Sequence, residues 1–303
     1  DRFGDIDATS DDDIRGGDTG DFVRELADAV NRGPVSYKER DLLDRTTAMR
    51  NTTAPEGFAS QAPGMRAALD GIGTLKAAVR RLVLSPDRMA WQRRLESGRF
   101  DVRAAARAKL GQRDVFAKRH ESPGHKAAVG IVLDTSYSMT STDAFYQACM
   151  ALTVAETVEA AGCPVGVWMF AKSNMIARVK GFRERVARCV GRFVGATNTN
   201  CGYTPLSESL LHVSNELEGQ DATAKILFAL TDGGDGHSQC PEAIRFAQAR
   251  GQIVVGVLIG GGDPDQFKAA DAVIHVSRGS ALSGAVLKQL VALLDRRKPG
   301  RAA

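Results

Sequence analysis

The chain has 303 residues and a formal net charge of +4, from 40 lysines and arginines against 36 aspartates and glutamates. That length exceeds one average domain and implies one large domain plus an extension, in a composition typical of soluble globular proteins. No apolar run approaches the roughly 20 residues that span a bilayer, and the acidic, polar start lacks the pattern of a signal peptide.

The first residue is Asp, not Met, which reads as a fragment or a processed chain. Residues 1–20 are rich in aspartate and glycine with almost nothing apolar, the composition of an acidic flexible linker. Helices are predicted over 21–53, broken at Gly33-Pro34, with Phe22, Leu26, Ala27 and Val30 at helical spacing. A Pro- and Gly-containing loop follows from Ala54 to Pro63. Met65 to Leu84 then carries Leu69, Ile72, Leu75 and Val79 at steps of three and four, an amphipathic helix. Lys76 to Lys126 is markedly basic. Residues 21–125 thus read as a mainly helical, basic extension. A phosphate-binding surface is conceivable there, but no nucleic-acid motif accompanies it, and a solvated face or a surface for an acidic partner is the favoured reading.

From residue 126 to 297 strands and helices alternate. Strands are predicted at 129–134, 165–170, 225–231, 252–259 and 272–276, with helices over 143–161, 182–194, 205–218, 241–250 and 280–295. A Gly-rich turn is predicted at 260–262. Residues 298–303 read as a disordered tail. Alternation of this kind predicts an α/β fold with a doubly wound, mainly parallel sheet flanked by helices. The five cysteines (Cys149, Cys163, Cys189, Cys201, Cys240) are odd in number and widely spaced, which reads as reduced thiols in a cytoplasmic protein. His237-Ser-Gln-Cys240 reads as a solvated loop. His212 and His275 read as packing or surface residues.

The chemistry concentrates after the first of these strands. Val129-Gly-Ile-Val-Leu-Asp134-Thr-Ser136-Tyr-Ser138 ends a buried apolar run in one carboxylate and two hydroxyls. These stand at the carboxyl end of a parallel strand, where open α/β sheets place ligands. All are hard oxygen donors, suited to a cation such as Mg2+. Enzyme readings find no support: the chain has no Gly-x-x-x-x-Gly-Lys-Ser/Thr loop for ATP, no Gly-x-Ser-x-Gly elbow and no general base beside the serines.

The Asp-x-Ser-x-Ser pattern resembles the metal-ion-dependent adhesion site (MIDAS) of von Willebrand factor A (VWA) domains. That resemblance predicts a later Thr and a later strand-ending Asp, and Gly202-Tyr-Thr204-Pro205 and Lys225-Ile-Leu-Phe-Ala-Leu-Thr231-Asp232-Gly233 supply them. It implies a VWA/Rossmann-like fold. It also implies direct hydroxyl ligands from Ser136, Ser138 and Thr204, with Asp134 and Asp232 acting mainly through bound waters on Mg2+, Mn2+ or Ca2+. Tyr137 stands where the family usually has Gly, and would be penalised if that position required positive φ.

Glu96-Ser-Gly-Arg-Phe-Asp101, Asp114-Val-Phe-Ala-Lys-Arg119 and Gly202 to Leu210 further resemble the C-terminal half of the CobT subunit of aerobic cobaltochelatase and its relatives. This implies a coupling subunit that works with an AAA+ ATPase of the CobS or MoxR kind and a large chelatase subunit inserting cobalt into a corrin ring. The alternatives are a VWA module for another client, in maturation, phage biology or stress resistance, or nucleic-acid binding through residues 76–126.

Overall fold

A computed structural model describes residues 37–68, 91–97, 99–100, 104, 108–109, 112–119, 125–172, 174–197, 202–236, 238–260 and 263–276. The acidic opening, the helix predicted beyond Ala68, most of the basic segment, His237, Cys201, the 260–262 turn beyond Gly260, the 280–295 helix and the tail lie outside the described residues. The helices are α1 (Tyr37–Thr47), α2 (Ala62–Ala67), α3 (Ser141–Ala160), α4 (Val186–Ala196), α5 (Leu206–Glu218) and α6 (Cys240–Ala249). The strands are β1 (Arg50–Thr53), β2 (Trp91–Leu95), β3 (Arg99–Phe100), β4 (Phe116–Arg119), β5 (His125–Leu133), β6 (Val165–Lys172), β7 (Met175–Lys180), β8 (Ala222–Thr231), β9 (Ile253–Ile259) and β10 (Ala272–Val276).

The main sheet has seven strands in the order β1-β7-β6-β5-β8-β9-β10. Strands β6, β5, β8, β9 and β10 run parallel. The β6–β7 pair is antiparallel and β1 runs with β7, so that edge is reversed. Because the chain leaves β5 to one side for β6 and later returns to the other for β8, the connections diverge above β5. A doubly wound sheet opens its crevice at such a switch point.

Alternate residues of β5 feed two cores. Val129, Ile131 and Leu133 pack with apolar residues of α3 and α4, including Leu152 and Phe193. Ala128 and Val132 pack with Leu210, Leu211 and Val213 of α5 and with Ile244 of α6. A strand covered on both faces needs a continuous apolar run, which is why 129–133 lacks the alternation of a half-exposed strand. Gly130 lets α5 lie close, since a Cβ there would stand 2.9 Å from Val213 Cγ1.

The structure departs from the sequence reading at the first half of the chain. Residues 50–53, expected in a helix, form β1, which joins β7 in parallel register from Arg50↔Met175 to Thr53↔Arg178. The segment read as a helical extension therefore supplies an edge strand of the main sheet. Within it β2, β4 and β3 also build a separate three-stranded antiparallel sheet. Strand β7 has no counterpart in the sequence reading. Between β1 and α2 the chain lies on α4: Gly57 N–H donates to Gly191 O at 2.8 Å. A Cβ on Gly195 would stand 1.8 Å from Pro55 O, so only glycine permits this approach.

Among the described residues no helix is long and apolar enough to cross a membrane. Cys149, Cys163, Cys189 and Cys240 are free and buried. His275 is exposed on β10, and on α5 burial pushes His212 down to about 4, so it is neutral.

Candidate metal centre

Parallel pairing of β5 with β8 sets the site. Leu133 stands opposite Leu230, and Asp134 N–H donates to Leu230 O at 2.9 Å. This register brings Asp134 beside Thr231 and Asp232 at the carboxyl edge of the two strands. The Asp134 side chain is fully buried. Its Oδ1 accepts from Ser136 N–H at 2.8 Å and its Oδ2 accepts from the Thr231 hydroxyl. The donors are neutral, so burial dominates and pushes the carboxyl up from 3.8 to about 6, with the nearby Asp232 charge acting in the same direction.

The loop after Asp134 is anchored on both sides. Thr135 Oγ1 donates to Phe170 O of β6 at 2.7 Å, and Gln147 Nε2 on α3 donates to Asp134 O. Met139 N–H closes the turn on Ser136 O at 3.3 Å. Thr140 then caps α3, its Oγ1 accepting from Asp143 N–H at 3.1 Å. The turn holds Ser136 Oγ 3.0 Å from Ser138 Oγ, and Ser138 Oγ donates to Asp232 Oδ1 at 2.9 Å.

Tyr137 has no positive φ, so the turn does not require glycine there, and the penalty considered for this position does not arise. Its ring is 80% exposed at the rim. Gly233, at φ +98°, carries the turn after Asp232, and its N–H donates to Thr231 Oγ1 at 3.0 Å. Thr204 comes to the same turn from the start of α5. Its Oγ1 lies 3.6 Å from where a Cβ of Gly234 would stand, and its carbonyl accepts from Gly236 N–H at 2.9 Å.

Of the five residues expected in the site, Asp134, Ser136, Ser138 and Asp232 form one hydrogen-bonded group, and Thr204 stands against its Gly234 side. Among the described residues no three His, Cys, Asp or Glu side chains converge on a metal position. A cation here would have to be held by hydroxyls together with the two aspartates. The set fits a hard divalent ion on two grounds: every donor is oxygen, and a buried carboxylate beside a second carboxylate has only neutral donors to offset its charge.

Several residues around the centre carry no motif signal. Asp235, Ser207, Glu208 and Gln239 form a polar cluster beneath the Thr204 and Asp232 loops, joined by Arg45 from α1. Only the placement of Asp235 shortly after the Asp-Gly turn and of Glu208 at a helix start marks them in the sequence.

No protein-family model matches the chain, and no curated protein matches its sequence. Solved structures resemble it at low identity. The conserved hypothetical protein BatB from Bacteroides thetaiotaomicron is 15% identical over 56% of this chain and 98% of that one, with a TM-score of 0.44. The vWF domain of the type V pili tip protein Mfa5 from Porphyromonas gingivalis is 10% identical over 60% of this chain and 99% of its own, with a TM-score of 0.43. Proximal thread matrix protein 1 from the mussel byssus, solved with a zinc-occupied MIDAS motif, is 20% identical over 56% of this chain and 46% of that one, with a TM-score of 0.47. Likenesses of this size assign neither a family nor a ligand. The chain's own strand order, read from β7 to β10, places it in the doubly wound, VWA/Rossmann-like α/β class.

Proposed function

We propose that this chain is a VWA-type adhesion module that binds a protein partner through a divalent cation at the carboxyl edge of β5 and β8. One observation carries the reading: the line from Ser136 Oγ through Ser138 Oγ to Asp232 Oδ1, with steps of 3.0 and 2.9 Å, beside buried Asp134 at the switch point. Ser136, Ser138 and Thr204 would present their hydroxyls to Mg2+, Mn2+ or Ca2+, and Asp134 and Asp232 would supply negative charge behind them. When bound, such an ion offers a Lewis-acidic position to a carboxylate from a partner. The hydroxyl donors are neutral, so they leave most of the ion's charge for that carboxylate. Thr231, Gln147 and Thr135 hold the loop rigid by their bonds to Asp134 and to β6, and Tyr137 stands exposed beside the docking position.

The finer reading is a coupling subunit resembling CobT. In it this module meets an AAA+ ATPase of the CobS or MoxR kind, beside a large chelatase subunit. The order and spacing of the Asp134–Met139 and Gly202–Leu210 segments support it, as do Glu96–Asp101 and Asp114–Arg119 upstream. With no phosphate-cradling loop in the chain, ATP turnover belongs to the partner.

The test is capture of such an ATPase by the immobilised chain in Mg2+ and in EDTA. Capture in Mg2+ that EDTA and Asp134→Ala both abolish is the expected result. Equal capture in EDTA overturns the metal bridge, and ATP turnover by the purified chain alone overturns the adaptor role.

A further inference from the structure

The two loops that close the metal centre are tied together, and to α1, by side chains outside the motif. Asp235 bridges two helix starts. Its Oδ2 accepts from the N–H groups of Gln239 at 2.8 Å and Cys240 at 3.0 Å, at the head of α6. Its Oδ1 lies 3.4 Å from Ser207 N and 3.2 Å from Ser207 Oγ, in the first turn of α5. With the Gly236 N–H bond to Thr204 O, this makes the Thr204 and Asp232 loops one unit.

Helix α1 grips that unit through Arg45 and Asp41. Arg45 Nη1 donates to Glu208 Oε1 and Nη2 donates to Gln239 Oε1. Its Nε lies 3.2 Å from Asp41 Oδ2, the same oxygen that accepts from Gln239 Nε2 at 3.2 Å. Ser207 Oγ stands 3.0 Å from Glu208 Oε2, which completes the path from Arg45 to Asp235. Glu208 is 3% exposed, so the guanidinium compensates a buried charge.

We propose that Arg45 is a positioning residue for the metal centre, and that docking of α1 and cation binding are coupled. This rests on the reading that the centre holds a divalent cation. Thr204 and Asp232 sit in turns containing Gly202, Gly233, Gly234 and Gly236, which have little stiffness of their own. Their separation is set by Asp235 and by whatever holds Ser207, Glu208 and Gln239 in place. Without Arg45 the Glu208 carboxylate is left buried without that cation, and the helix starts spread to let it reach water. The hydroxyl and the carboxylate then no longer converge. Coupling of this kind is reciprocal: an ion that orders the loops tightens α1 by the same factor.

The probe is Mn2+ on the full chain, with free ion read by electron paramagnetic resonance and amide exchange followed across residues 37–47. Wild type is expected to bind Mn2+, and the ion to slow exchange in α1. Arg45→Met is expected to bind at least fivefold more weakly, with α1 exchange indifferent to the ion, while Arg45→Lys recovers part of the affinity. A folded Arg45→Met with wild-type affinity overturns the proposal. So does an affinity loss unaccompanied by ion-dependent protection of α1 in wild type, which marks a merely structural role. If Arg45→Met does not fold, the exchange experiment on wild type decides alone. Failure of wild type to bind Mn2+ is a separate result and overturns the cation reading beneath the proposal.

Discussion

Ser138 donates its hydroxyl to Asp232 Oδ1 at 2.9 Å, joining residues 94 positions apart in the chain. Ser138 rides on the turn after β5 and Asp232 on the turn after β8, so the bond exists only because those strands are parallel neighbours. It sets a hydroxyl and a carboxylate side by side, so that a cation meeting the hydroxyl would have the carboxylate's charge behind it.

Ser138→Ala and Thr204→Ala each remove one neutral oxygen from the loops and leave the core filled. Each is expected to weaken Mn2+ binding about tenfold, roughly 1.4 kcal/mol, while unfolding free energy changes by no more than about 1 kcal/mol. Calorimetric titration beside chemical denaturation checks both halves. A Ser138→Ala protein with unchanged Mn2+ affinity would remove Ser138 from the site.

Asp134 gives the centre a pH dependence with a definite sign. Its folded pKa of about 6 stands above the ordinary 3.8, so between those values the folded chain binds more protons than the unfolded one. Without metal, its contribution to stability therefore falls as pH rises from about 4 to about 6, by roughly 3 kcal/mol, and is flat above. Asp134→Asn should remove that slope in EDTA. A cation favours the ionised carboxylate, so Mn2+ affinity should fall as pH drops below about 6. Affinity unchanged between pH 7 and pH 5 would contradict this account.

Tyr137 occupies an ordinary backbone conformation, and its ring points to solvent. Tyr137→Gly should therefore leave Mn2+ affinity within about twofold, since neither oxygen ligands nor required φ change. Partner binding should weaken, because an exposed aromatic beside the docking position is a large contact surface at low entropic cost. A large gain in metal affinity for Tyr137→Gly would show that the tyrosine strains the turn after all.

Gly195 and Gly64 give opposite expectations for the same substitution. A Cβ on Gly195 meets Pro55 O at 1.8 Å, so Gly195→Ala must lift residues 55–57 off α4 and should cost about 2–3 kcal/mol. At Gly64, in α2, a Cβ meets nothing within 4 Å, so Gly64→Ala should be neutral or stabilise by up to about 1 kcal/mol. Urea midpoints of the two variants decide. Equal midpoints would show that residues 55–57 are not held on α4 as described.

The sequence by itself determined the parallel core and which side chains stand at its strand ends. Asp134, Ser136, Ser138 and Asp232 lie within a few residues of strand ends whose apolar runs are visible without a structure, because a strand buried on both faces must be continuously apolar. Thr204 is placed by Pro205, which marks the start of the helix that follows, and the alternation of strands and helices points to the doubly wound class. Other features were decided by the tertiary structure alone. Arg50-Asn-Thr-Thr53 has no strand pattern of its own and becomes β1 because β7 offers it a hydrogen-bonding edge. Gly195 reads as an ordinary loop glycine until Pro55 is laid on it. Arg45 stands 163 residues from Glu208 and 194 from Gln239. Periodicity and spacing report which face of a local element is buried, whereas an ion pair or a backbone approach between distant segments is set by where the sheet brings them, and leaves no mark at either end of the sequence.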